Sequence, residues 1–208
     1  MSDIRDEIDW EFPGDATSEA QTNYFWQGYI PTVGNNGNTE KGLSDTFANY
    51  HDYTIDWQPN ALTFSIDGKV VRTINAADAV DKSGVIRYPN TPSRIQLSIW
   101  PAGLPGAPPG TVEWSGGLIN WKDPDYVAAG HFYALVKSVT IKCGDSASRP
   151  ANITAYKYGA NATAETPAIS FTNQTTLLNG AGPAFGNGLQ LRGAMAAVVG
   201  LMLTVYII

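Results

Sequence analysis

The stretch Glu7-Ile8-Asp9-Trp10-Glu11 places a carboxylate at every second position and an apolar side chain between each pair. Alternation with period two marks a β-strand, because successive side chains point to opposite sides of a sheet. Glu7, Asp9 and Glu11 therefore share one face, and Ile8, Trp10 and the following Phe12 share the other. An apolar strand face needs a second layer to bury it. The pattern predicts a layered β protein with a row of acids on one open face.

Other segments agree. Thr22-Asn23-Tyr24-Phe25-Trp26 and Tyr53-Thr54-Ile55-Asp56-Trp57 are further strand candidates. Leu62, Phe64 and Ile66 alternate into Asp67-Gly68, a two-residue hairpin signal, and Val70-Val71 begins the return strand. Ile95, Leu97 and Ile99 alternate with Gln96, Ser98 and Trp100, and Phe132 to Cys143 reads as the last clear strand. Gly34 to Gly42 reads as a loop. With 21 Gly, 13 Pro, 6 Trp and 10 Tyr among 208 residues, and only 15% charged residues, the composition suits many short strands and turns rather than a helical bundle. The expected fold is all-β, a sandwich or jelly roll over residues 1–145.

Charge and motifs exclude several functions. A net charge of −6 gives no basic face for nucleic acid. His51 and His131 are far apart with no zinc-protease spacing, no nucleophile elbow is present, and the Gly-rich stretch from Gly34 to Gly42 lacks the Walker Lys-Ser/Thr. The single cysteine, Cys143, can form no internal disulfide and no cysteine-based metal site. It is read as a buried strand thiol, or as one whose partner lies upstream. No cofactor and no metal is implied.

Residues 146–180 change character. Thr, Ala, Asn and Ser dominate, and the segment reads as a flexible linker. It carries three N-glycosylation sequons, at Asn152, Asn161 and Asn173. Residues 181–208 end in an almost wholly apolar run from Gly193 to Ile208, preceded by a polar, Gly-rich spacer and the small residues Asn179-Gly180-Ala181. That order matches a GPI-attachment signal, with Asn179 or Gly180 as the attachment residue; a tail anchor is the alternative. A GPI signal acts in the secretory pathway, whereas the segment from Met1 to Asp6 has no apolar run. The expectation is a chain truncated at its N-terminus.

The acidic row carries the chemistry. Same-face neighbours on a strand are ~6.6 Å apart, so Glu7 and Glu11 start ~13 Å apart at Cα. Long side chains and strand twist can close much of that distance toward the ~5–5.5 Å between the two carboxyl groups of a retaining glycosidase. Asp9 between them can share a proton with a nucleophilic neighbour and keep the acid's pKa high. Taken alone, the three carboxylates fit a solvated acidic face as well, although like charges in a row repel. Trp26, Trp57, Trp100, Trp114 and Trp121 could stack on sugar rings or pack in a core. If Ile95, Leu97 and Ile99 fill the core, Trp100 shares the open side with Gln96 and Ser98.

Several blocks together resemble glycoside hydrolase family 16, and within it the fungal Crh-type cell-wall transglycosylases. They are Asp6-Glu7-Ile8-Asp9-Trp10-Glu11, Gln21-Thr22-Asn23-Tyr24-Phe25, Tyr53 to Pro59, Ser65-Ile66-Asp67-Gly68, Ser98 to Gly103, and Gly110 to Gly117. The resemblance spans about residues 3–145. It implies a concanavalin-like β-jelly roll with a glycan cleft on its concave sheet. It implies Glu7 as nucleophile, Asp9 as its assistant and Glu11 as general acid/base, with Gln21, Asn23, Trp100 and Trp114 binding the polysaccharide. It further implies cleavage of chitin and transfer to β-glucan through a covalent glycosyl-enzyme. The single residue between Asp9 and Glu11 matches the regular-strand branch of the family. The resemblance also implies a signal peptide and several strands ahead of the acidic motif, a membrane link through the GPI anchor, and a secreted, cell-surface monomer. Three functions stay open on sequence: a transglycosylase, a β-glucan or chitin hydrolase, and an inactive, carbohydrate-binding fragment.

Overall fold

A computed structural model describes residues 1–31, 35–143, 150–160, 163, 168–174 and 201–207. In chain order the first strands are β1 (Glu7–Glu11), β2 (Glu19–Phe25), β3 (Asn38–Lys41), β4 (His51–Trp57), β5 (Ala61–Ile66) and β6 (Lys69–Asn75). Two short helices follow, α1 (Pro109–Trp114) and α2 (Pro124–Ala129), and then β7 (Val136–Cys143). The last elements are β8 (Ala155–Tyr158), β9 (Ile169–Thr172) and β10 (Leu201–Ile207). The strands form a three-stranded sheet ordered β1-β2-β3, a five-stranded sheet ordered β6-β5-β4-β10-β7, and the separate β8-β9 hairpin. All the pairings are antiparallel.

The two larger sheets are joined by the core that the alternation predicts. Tyr24 of β2, Ile55 and Trp57 of β4, and Leu62 and Phe64 of β5 are buried together, with Ile8 and Trp10 of β1 packed against them. Trp10 meets Phe64 edge-on with ring centroids 5.2 Å apart, and Tyr53 at 5.3 Å. Ala20, Tyr53 and Ile66 form a second cluster, with Phe12 and Leu43 against it. Trp26 and Trp57 belong to this interior, and the Trp57 indole N–H donates to the Pro89 carbonyl at 3.0 Å. The β5–β6 connection is the expected tight hairpin: Asp67 and Gly68 both take left-handed backbone angles, with φ of 50° and 76°.

The structure departs from the sequence expectation in four places. Part of the Gly34–Gly42 loop is strand β3, which lacks apolar alternation and is held by pairing with β2. Its Glu40 turns inward, accepting hydrogen bonds from Thr22 and Asn38. The expected strand around Ile95, Leu97 and Ile99 is absent. Only Ile95 packs on the core, whereas Leu97 and Ile99 are 50% and 61% exposed. Alternation gives a segment two sides, but only a partner strand makes one of them interior, and none of the described residues pairs with 95–100.

The helices α1 and α2 were not expected in a chain read for strands. Their end signals are nevertheless regular. Both open on a proline, Asp123 caps α2 by accepting the Asp125 N–H, and Gly130 ends α2 with φ of 75°. The fourth departure lies within residues 146–180, read as a structureless linker. There the β8–β9 hairpin buries Ala155 and Tyr156, and Tyr158 sits among Ser2, Thr91 and Asp6. Tyr156, Tyr158 and Phe171 supply apolar surface that the polar average of the segment conceals. At the chain's end, β10 pairs with β4 on one side and β7 on the other.

Candidate active site

β1 and β2 pair with Glu7 opposite Phe25, Asp9 opposite Asn23 and Glu11 opposite Gln21. Directly opposed residues project on the same side of a sheet. The register therefore gathers Glu7, Asp9, Glu11, Asn23 and Gln21 on one face. The reverse side of β2 is sealed, since Ala20, Thr22 and Tyr24 are buried. From below, the Arg72 guanidinium of β6 donates to the Thr22 carbonyl and hydroxyl at 3.0 and 2.8 Å and to the Asn36 carbonyl at 2.6 Å. The site strand and its neighbour thus rest on a packed layer.

Asp9 is hydrogen-bonded to Glu7. Its pKa is pushed up to about 8, first by burial, then by the charge of Glu7 and the shared hydrogen bond, and then by Glu11. With the Asp9 pKa this high, the couple retains a proton at neutral pH. The pair works as one acid–carboxylate couple. Burial, followed by the Glu7 charge, also raises the pKa of Glu11. One face of one strand thus offers two carboxyl groups in contact, Glu7 and Asp9, and a third, Glu11, that keeps its proton to higher pH. A retaining glycosyl transfer needs a nucleophilic carboxylate and a proton-donating acid.

The aromatic side joins the acidic row through β2. The Trp114 indole N–H, at the end of α1, donates to Gln21 Oε1 at 2.9 Å. Trp114 in turn stacks on Trp100, with centroids 5.8 Å apart and planes 21° apart. Trp100 remains 56% exposed. In Asn23 the side-chain oxygen accepts the Tyr24 N–H at 2.9 Å, which leaves its NH2 group as the available donor. All seven residues expected at the site are therefore linked, with Trp100 reached through Trp114 and Gln21.

Sequence reasoning missed Asp6, a fully buried carboxylate at the entry to β1. The signal was present in the numbering. Asp6 has the parity of Ile8 and Trp10, so it is an acid on the core side of an otherwise apolar face. Of the glycosylation candidates, Asn152 and Asn173 are exposed. Asn161, Asn179 and Gly180 lie outside the described residues.

The chain was also compared with known proteins. The family model of glycosyl hydrolases family 16 matches residues 1–116. Crh-like protein 2 of Aspergillus fumigatus is 40% identical over 181 residues, covering 86% of this chain and 40% of the relative. Congo red hypersensitive protein 2 of Saccharomyces cerevisiae is 37% identical over 177 residues, covering 84% of this chain and 37% of the relative. The chain thus spans about two fifths of the length of the curated relatives it matches. A solved structure described as Crh5 transglycosylase in complex with NAG superposes with a TM-score of 0.52 at 43% identity, covering 58% of this chain and 48% of that one. With more than half of its residues under the family model and the acidic row on the open face of β1, the chain belongs to glycosyl hydrolases family 16.

Proposed function

We propose that the chain carries the catalytic strand of a retaining transglycosylase of the fungal cell wall, one that cleaves a chitin-type β-glycan and transfers the piece to β-glucan. The observation that carries this reading is the acidic face of β1, where Asp9 bonds Glu7 and Glu11 keeps a raised pKa. In the first step Glu7 attacks the anomeric carbon, the glycosidic C–O bond breaks, and Glu11 gives its proton to the leaving oxygen. A glycosyl ester on Glu7 results. In the second step Glu11 takes the proton of an acceptor hydroxyl, the acceptor oxygen bonds to the anomeric carbon, and the ester breaks. Asn23 and Gln21 hold sugar hydroxyls beside these groups, and Trp100 and Trp114 offer stacking faces to the rings. No cofactor enters either step.

The decisive experiment is a product assay with a chitin-type donor and a labelled β-glucan oligosaccharide as acceptor. Label in longer products is expected. Label that remains only in the free acceptor while the donor is shortened would make the chain a hydrolase.

The same reading assigns the chain to the cell surface as a glycosylated, GPI-anchored monomer. Exposure of Asn152 and Asn173 supports glycan attachment there, with Asn161 as the third site. GPI attachment at Asn179 or Gly180 would remove residues 201–207 and vacate the place of β10 between β4 and β7. Mass spectrometry of the cellular protein tests both points: sugar-bearing asparagines and no peptide containing Ile208 are expected.

A further inference from the structure

Asp6 is fully buried, and among the described residues no cation pairs with it. A buried carboxylate is costly unless its oxygens are well supplied with donors. Here four donors converge on it. Oδ1 accepts the Gln27 N–H at 2.8 Å. Oδ2 accepts the Asn90 N–H at 2.8 Å, the Thr91 N–H at 2.9 Å and the Thr91 hydroxyl at 2.6 Å. The main chain of Asp6 is held as well, its N–H donating to Ser2 Oγ at 2.8 Å and its carbonyl accepting the Ser2 N–H at 2.7 Å.

The donors come from two segments with independent support. Gln27 lies just past the end of β2 in a left-handed conformation, with φ of 51°. Asn90 and Thr91 follow a loop tied to the core by Trp57 Nε1 on the Pro89 carbonyl and by the Tyr88 hydroxyl on the Gln58 carbonyl at 2.6 Å. Position is thus passed from the core to the loop, from the loop to Asp6, and from Asp6 to the residue after it.

We propose that Asp6 is a positioning residue for Glu7, fixing the main chain one residue before the nucleophile so that the Glu7 carboxylate stays against Asp9. This rests on the reading of Glu7 as nucleophile. A purely structural Asp6 would stabilise the fold and leave the Glu7–Asp9 couple untouched.

The test compares the full chain with Asp6→Asn, Thr91→Val and a core control on β6, Ile74→Val. Two readouts are followed: the titration midpoint of the 13C-labelled Asp9 carboxyl, and the rate at which an epoxyalkyl β-glycoside forms an ester with Glu7. In Asp6→Asn an NH2 group replaces one acceptor. The Asp9 midpoint is expected to fall toward the ordinary carboxylate range, and labelling to slow by ~10- to 100-fold, the scale of a misplacement near 1 Å. Thr91→Val, which removes one donor without changing charge, should move both readouts the same way by less. Ile74→Val should lower the melting temperature and move neither.

If the Asp6 and Thr91 variants lose stability with both readouts unchanged, the proposal is overturned. If Asp6→Asn does not fold, Thr91→Val decides on the same criteria. Labelling of the wild-type chain at a residue other than Glu7 would instead overturn the nucleophile reading; the Asp9 midpoints would then still decide whether Asp6 positions this strand.

Discussion

The two walls of the site are built in different ways. The acidic wall is regular strand, backed by Trp10 on Phe64 and Tyr53 and braced by Arg72 from the opposite sheet. The aromatic wall, residues 95–135, contains no strand, and its two six-residue helices bury no residue. Leu97, Ile99, Trp100, Leu118 and Trp121 are all exposed along it. A few contacts hold it in place. These are the Trp114–Gln21 hydrogen bond, the Trp100–Trp114 stack, and the close approach of Gly103 to Gly117, where the Ile119 N–H donates to the Gly103 carbonyl at 2.9 Å. A Cβ on Gly103 would lie 2.1 Å from the Gly117 oxygen, so glycine is required there. The carboxylates are therefore placed by the core, and the aromatic surface by a handful of polar and ring contacts. Damage to the first wall should appear in kcat or in folding, and damage to the second in KM.

The largest effect should come from Glu7→Gln, which removes the proposed nucleophile and leaves the packing intact. Turnover should fall by ~10⁴-fold or more with an unchanged melting temperature. Substantial residual activity would break the assignment of chemistry to the acidic wall. Next comes Trp10→Ala, on the buried side of the same strand. It should cost ~3–5 kcal/mol of stability, read by denaturant unfolding; a loss below ~1 kcal/mol would mean that the acidic wall is no better backed than the aromatic one.

A third effect is set by pH. Asp9 in the folded chain holds its proton up to about pH 8, whereas the unfolded chain releases it near the ordinary carboxylate value of 3.8. The fold binds the proton more tightly, so this contribution to stability is full below pH ~4 and is lost as pH rises through about 8. Glu11 acts in the same direction. The melting temperature should fall between pH 4 and 8, and Asp9→Asn should flatten that slope; a wild-type slope of opposite sign would contradict the shared-proton couple. The smallest effect should belong to Trp114→Phe, which keeps a ring for stacking and deletes the bond to Gln21. A loss of ~1 kcal/mol, a few-fold rise in KM at constant kcat, is expected. A change in kcat instead would show that the two walls are mechanically coupled.

The acidic wall was legible in the sequence because its strand has two chemically different faces. Glu7, Asp9 and Glu11 fell on the open side and Ile8 and Trp10 on the core side, as alternation requires. The resemblance singled out Gln21 and Asn23, and the register sets them opposite Glu11 and Asp9. The aromatic wall was poorly legible for the opposite reason. Around Leu97 and Ile99 the alternation is just as clear, yet no described strand lies alongside to bury them. The helix ends at Pro109, Asp123 and Gly130 carried local signals that a period-two search passes over. Asp6 was legible only through its parity, because a carboxylate on a core face reads as a misfit until its four donors are known.

The register of β1 on β2 has a consequence for how the gene can change. Substitutions in β1 act one side chain at a time, and their effects are graded. Loss or gain of a single codon within Glu7–Glu11 is different in kind. It exchanges the two faces beyond the lesion, sending acids toward Tyr53 and Phe64 and indole toward the open face. Such an indel would strike chemistry and core in one event, so drift along this strand is confined to point replacements while its length stays fixed.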